Sequence, residues 1–191
     1  MSRKQRPATA QTAVIDACCL IDLLASGQAE SILRGTGYTW YLPTAVRDEV
    51  KFVREHDPES PGLFKIVQAD LRPLIGAGLL SVCQPDHARE AARFIHFAGV
   101  FRSEGEAMCL AIAECRHWTV ATDDRKAIRI AREAGMSVVS CPALIKNWAI
   151  TTRPSATKIS QVLSEIQFLA QFRPNPSMPE YDWWVSESAR S

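Results

Sequence analysis

The stretch Ala13–Leu24, AVIDACCLIDLL, constrains the chain more than any other. Ala13, Val14 and Ile15 form a short apolar run of the kind that becomes a strand covered on both faces. The run ends on Asp16, and an apolar helix over roughly Cys18–Ala25 is expected to follow. A carboxylate at the tip of a buried strand costs several kcal/mol to desolvate without compensation. It therefore either caps the next helix or faces a cleft where a cation can meet it. The second reading gains weight if other carboxylates reach the same edge of the sheet.

The rest of the chain repeats the alternation. Tyr38–Leu42 (YTWYL), Leu79–Cys83 (LLSVC), Trp118–Thr122 (WTVAT) and Ser137–Ser140 (SVVS) read as further strands. Helices are expected over Glu30–Leu33, Ala45–His56, Ala88–Ala98, Ser103–Cys115, Lys126–Ala134 and Leu144–Ile150. Val46, Val50 and Val53 supply the apolar side of the Ala45–His56 helix, and Leu63–Gly78 reads as an amphipathic segment broken by Pro73. Strands and helices alternating at this spacing predict an α/β fold, a three-layer sandwich around a central parallel sheet. In such folds ligands sit at the carboxyl ends of the strands. Residues 1–12 read as a basic disordered arm, residues 13–150 as the domain and residues 151–191 as a C-terminal helical extension. Within that extension Thr157–Phe172 carries an apolar stripe, followed by the aromatic tail RPNPSMPEYDWW. The extension either completes the core or presents Tyr181, Trp183 and Trp184 to a partner.

Composition narrows the function classes. Among 191 residues, 47% are hydrophobic and 23% charged, which is ordinary for a soluble globular domain. No apolar run approaches a membrane span, and the basic start MSRKQRPATAQT lacks the apolar core of a secretory signal. A net charge of +1 means that a nucleic-acid partner must be held by a local basic patch. The cysteines, Cys18, Cys19, Cys83, Cys109, Cys115 and Cys141, form no CxxC pair and no zinc-finger spacing. They fit a reducing, cytoplasmic setting and argue against structural zinc. The histidines, His56, His87, His96 and His117, show no ligand spacing either.

Acidic residues fall where the sheet would gather them. Asp16 ends the first strand, Glu49 lies two turns into the helix after the second, Glu106 is in the first turn after Ser103, and Asp123-Asp124 follow WTVAT. Each has a purely structural alternative. Ser103 to Glu106 fits a capping box, Asp123 an N-cap, Glu49 a solvated helix residue and Asp16 a turn residue. Together at one edge they would repel one another, and a hard divalent cation such as Mg²⁺ or Mn²⁺ resolves that repulsion. Such a site activates water against a phosphodiester. No P-loop or nucleophilic Ser/His pair suggests other chemistry, and the DxD of a HAD-type phosphatase fails because Cys18 stands two places after Asp16. Arg125 and Lys126, directly after the acids, are the expected phosphate contacts, with Arg102, Arg129 and Arg132 nearby.

The segments AVIDACCLIDLL, LPTAVRDEV, SEGEAMCLAIAE and VATDDRKAIRIAREAG, in this order, resemble the successive motifs of the PIN-domain nucleases, the family that includes VapC-type toxins. The likeness covers residues 13–150. It implies a compact α/β sandwich, Mg²⁺- or Mn²⁺-dependent cleavage of RNA, a homodimer and, for the toxins, an antitoxin protein. It implies Asp16, Glu49, Glu106 and Asp124 as the catalytic acids, and Asp16, Glu106, Asp123 and Asp124 as the metal ligands. Asp124 is favoured over Asp123 as the metal-facing residue, which leaves Asp123 to cap the helix. Glu106 stands where many members carry Asp, and Cys18 where Ser, Thr or Asn is common. The other function class is a PIN-like module that binds RNA or protein without cutting.

Overall fold

The computed structural model describes residues 11–190. Most of the expected arm, residues 1–10, lies outside the described residues, while Gln11 and Thr12 already belong to the first strand. The strands β1 (Gln11–Ile15), β2 (Tyr38–Pro43), β5 (Leu80–Cys83), β6 (Thr119–Ala121) and β7 (Val138–Val139) form one parallel sheet in the order β5-β2-β1-β6-β7. Ala13, Val14 and Ile15 are all fully buried. Successive side chains of a strand point to opposite faces, so β1 is covered on both sides, which fits a three-layer sandwich. The chain runs outward from β1 through β2 to β5, then returns to place β6 on the other flank of β1. The order reverses between β1 and β6, and a crevice at their carboxyl ends is where an open α/β sheet forms its site.

The flanking helices are α1 (Ala17–Ala25), α2 (Ala29–Gly35), α3 (Thr44–Glu49), α5 (Ala88–Ala98), α6 (Glu104–Arg116), α7 (Arg125–Glu133) and α8 (Cys141–Thr152). Side-chain caps start most of them. Asp16, Ser103, Asp124 and Ser140 each accept a backbone N–H from the first turn of α1, α6, α7 and α8 respectively. Helix α6 is the inner one: Ala107 to Ala113 is buried without a break, so it packs against neighbours on every side.

Two stretches depart from expectation. The Ala45–His56 helix ends at Glu49, and Phe52–His56 is instead strand β3, paired antiparallel with β4 (Phe64–Gln68). The spacing of Val46, Val50 and Val53 satisfies a helical period, but Phe52 and Val53, aromatic and β-branched, also suit a strand, and the pairing with β4 decides for it. Val53 lies opposite Val67 in the hairpin, and Gly62 at φ +87° turns the connecting loop. The Leu63–Gly78 segment divides accordingly into β4 and a short helix, α4 (Arg72–Gly76), with Pro73 in its first turn.

The C-terminal extension folds against the domain. Helix α9 (Ala156–Glu165) passes into a π-helical turn over Ile166–Ala170, so the expected single helix to Phe172 changes its winding part-way. The aromatic tail forms α10 (Tyr181–Ser188), and Trp184 is buried in the common core beside Phe172. Trp184 therefore serves the core, while Tyr181 and Trp183 remain half-buried. Among the described residues no helix is long and apolar enough to cross a membrane.

Candidate functional site

The carboxyl ends of β1 and β6 are stitched together directly. The Asp16 amide donates to the Ala121 carbonyl at 2.9 Å, and the Thr122 hydroxyl donates to Asp16 Oδ2 at 3.0 Å. Asp16 Oδ1 accepts the Ala17 amide at 2.7 Å. The Cys18 thiol donates to Oδ2 at 3.3 Å, so a sulfur makes the local bond for which Ser or Thr would offer a hydroxyl. Asp16 is almost wholly buried, and desolvation pushes its carboxyl up, opposed by these hydrogen bonds and reinforced by the charge of Glu49.

Glu49 arrives from the last position of α3, which packs on α6. Its Oε1 accepts the Ser103 hydroxyl and the Gly105 amide, both at 2.8 Å. That approach needs a glycine: a Cβ on Gly105 would stand 2.5 Å from Glu49 Oε2 and 3.1 Å from Val46 Cγ2. Glu106 follows one residue later. Ser103 caps its amide at 3.3 Å, but the reciprocal half of a capping box is missing, and the Glu106 carboxylate has no hydrogen-bond partner among the described residues. Burial raises that carboxyl to about 7, with Asp16, Asp124 and Glu49 adding repulsion and Lys126 pulling it back. The Lys126 Nζ donates to the Val100 carbonyl and sits over the Phe101 ring. Arg125 is exposed.

The two adjacent aspartates part company. Asp124, not Asp123, caps α7, with Oδ1 accepting the Ala127 amide at 2.7 Å, and its charge bears on Glu106. The expected cap at Asp123 is thus corrected. The helix starts at Arg125, which leaves Asp124 at the capping position. Asp123 instead caps the neighbouring helix, accepting the Cys141 amide at 3.1 and 3.2 Å, and it also accepts the Cys19 thiol at 3.3 Å. Its carboxyl is raised to about 6, chiefly by burial.

Asp123 thereby joins residues that sequence reasoning passed over. Its carboxylate, that of Asp22 and the Cys141 thiol offer ligand atoms all within 4.8 Å of one another, a group that could hold a metal ion. Asp22 was overlooked because it sits inside the apolar word LIDLL. The available signal was its place on the buried face of α1, between Cys19 and Leu23. Asp86, His87 and Glu90 form a second such group, but the Arg116 guanidinium already fills it, at 2.6 Å from Glu90 Oε1 and 3.1 Å from Asp86 Oδ2. Asp16, Glu49, Glu106 and Asp124 are coupled through their charges without closing to that spacing.

Beside α7 runs a cleft of about 830 Å³, walled on the far side by the segment from Phe172 to Glu180. Arg125, Arg129, Arg132 and Arg173 line it, together with Asp123. No protein-family model matches the sequence, and no curated protein matches it.

Proposed function

We propose that the chain is a metal-dependent endoribonuclease of PIN type, using Mg²⁺ or Mn²⁺ at Asp16, Glu49, Glu106 and Asp124. The observation that carries the reading is Glu106: a carboxylate with no hydrogen-bond partner among the described residues, pushed to about 7 beside three other acids at the crevice between β1 and β6. The donor set fits the group, since it consists of carboxylate oxygens, the ligands that hard divalent cations prefer. A bound ion would supply an activated water and charge stabilisation at a phosphodiester. The chain's own residues do the rest. Thr122 and the Cys18 thiol hold Asp16 in one orientation, Ser103 and Gly105 hold Glu49, and Lys126 stands close enough to act on Glu106 and to meet a phosphate. Arg125, exposed one residue earlier, adds a second phosphate contact.

RNA as the substrate class, a homodimer, a cytoplasmic toxin role and an antitoxin partner come with the resemblance and belong to this proposal. The β3–β4 hairpin supports a protein partner, because Phe52, Leu63 and Ile66 are exposed on it. Incubation of the chain with single-stranded RNA and Mn²⁺ tests the reading. Cleavage that Asp16→Asn abolishes, with the fold intact by circular dichroism, supports it; equal cleavage by wild type and variant refutes it. A non-catalytic binding module is the second reading, favoured by the capping bonds that already engage Asp16 and Glu49. Metal-independent RNA retention without turnover would select it.

A further inference from the structure

We infer that Asp22, Asp123 and Cys141 form a second site, for a thiolate-accepting divalent transition metal of the zinc class, separate from the oxygen-only crevice. The three residues come from α1, the end of β6 and the first position of α8, yet their ligand atoms lie within 4.8 Å of one another.

The independent sign is Asp22 itself. It is only 4% exposed, and its Oδ2 has no hydrogen-bond partner. A buried carboxylate oxygen left unsatisfied is costly and calls for a partner. On one side stands Asp123, a second carboxylate, and on the other Cys141, a fully buried thiol close enough to pull the Asp22 carboxyl down by hydrogen bonding; neither supplies a cation for Oδ2. A metal ion would satisfy the orphaned oxygen and offset the repulsion between the two carboxylates.

The chemistry of the donors selects the metal. Magnesium and calcium take oxygen ligands, whereas a set that includes a cysteine sulfur suits zinc and its neighbours. Cys141 occupies the first turn of α8, and burial together with the neighbouring Asp22 and Asp123 pushes its thiol well above the ordinary range, so a metal ion would have to displace its proton. A further sulfur is close by: Cys19, one turn before Asp22 on α1, donates its thiol to Asp123 Oδ2 at 3.3 Å. Asp22, Asp123 and Cys141 supply three ligands and leave the fourth position of a tetrahedral site open. Binding would release the Cys141 proton, and that of Asp22 where it is protonated, to solvent. Of the three ligands, Asp123 lines the arginine-walled cleft.

The probe is Co²⁺, added to the full chain after chelator treatment and followed by thiolate-to-cobalt charge-transfer absorption. One equivalent of Co²⁺ should produce the band, and excess Zn²⁺ should displace it. Cys141→Ser should lose the band and Asp22→Asn should weaken binding, while Glu106→Gln keeps both, so the result stands apart from the nuclease proposal. Absence of the band in the folded wild type overturns the inference, as does a band of unchanged intensity in Cys141→Ser. Should Cys141→Ser fail to fold by circular dichroism, the Asp22→Asn titration decides alone: unchanged Co²⁺ affinity there overturns the site.

Discussion

Two acidic groups stand side by side at the ends of β1 and β6, and they differ in almost every physical respect. The outer one, Asp16, Glu49, Glu106 and Asp124, is built from oxygen donors. Except at Glu106, its carboxylates are held in place by hydrogen bonds from helix starts, hydroxyls and the Cys18 thiol. The inner one, Asp22, Asp123 and Cys141, mixes oxygen with sulfur, and Asp22 lies deeply buried with one oxygen unsatisfied. One peptide unit separates them, because Asp123 turns inward and Asp124 outward. Burial and donor type, more than the count of acids, decide what each group can do.

The comparison breaks most sharply at Asp16. Asp16→Asn should lower Mn²⁺-dependent RNA cleavage by roughly a thousandfold, the loss expected when several kcal/mol of metal-assisted stabilisation is removed. Single-turnover rates on a defined RNA measure it, and a loss below tenfold would detach Asp16 from the chemistry.

The inner group is best probed through stability. Burial, with the charge of Asp123 adding to it, raises the Asp22 carboxyl from 3.8 to about 8. Between those values the folded chain binds a proton that the unfolded chain has released, so unfolding free energy falls as pH rises across that window. The slope from a single group can reach about 1.4 kcal/mol per pH unit. Asp123, raised to about 6, acts in the same direction over the lower part. Asp22→Asn should therefore be more stable than wild type at pH 8 in chelator, with the advantage shrinking towards pH 4. Urea melts at both pH values check this, and equal slopes for the two proteins would contradict it.

Glu106 sharpens the contrast from the other side. With its carboxyl at about 7, a proton competes with the cation, so Mn²⁺ affinity should drop as pH falls through that value. Titration calorimetry at pH 6 and pH 8 reads the drop, and Glu106→Gln should flatten it. Gly105→Ala should have a smaller effect. The new methyl group displaces the Glu49 carboxylate, costing about tenfold in activity if one hydrogen-bonded contact worth ~1.4 kcal/mol is lost. Its melting temperature should fall by only a few degrees, because the closest atoms belong to the end of the Glu49 side chain and only the contact with buried Val46 must give. The smallest change is expected for Arg125→Ala, which should weaken RNA binding evenly across sequences and lower the salt slope by about one. Filter binding at two salt concentrations separates that from a loss of sequence choice.

Much of this was legible in local pattern. The apolar runs that end on Asp16 and at Asp123-Asp124, the Ser103 cap and the buried α6 helix follow from side-chain periodicity and capping chemistry, which act over a few residues. The hairpin was not legible. Val46, Val50 and Val53 suit a helix on spacing alone, and only the pairing with Phe64–Gln68 makes Phe52–His56 a strand. Likewise Trp184 could be read as a partner's anchor until α10 packed it into the core.

The sequence alone determined the parallel strands, most of the helices around them and the caps at Asp16 and Ser103, because these depend on neighbours within a turn or two. Only the tertiary structure decided which acids meet. Asp22 and Cys141 stand far apart in the chain, and the parallel order β2-β1-β6-β7 carries them to one spot beside Asp123. The two adjacent aspartates turn towards different helix starts: Asp124 caps α7, and Asp123 accepts the Cys141 amide that the Ser140 cap of α8 leaves free.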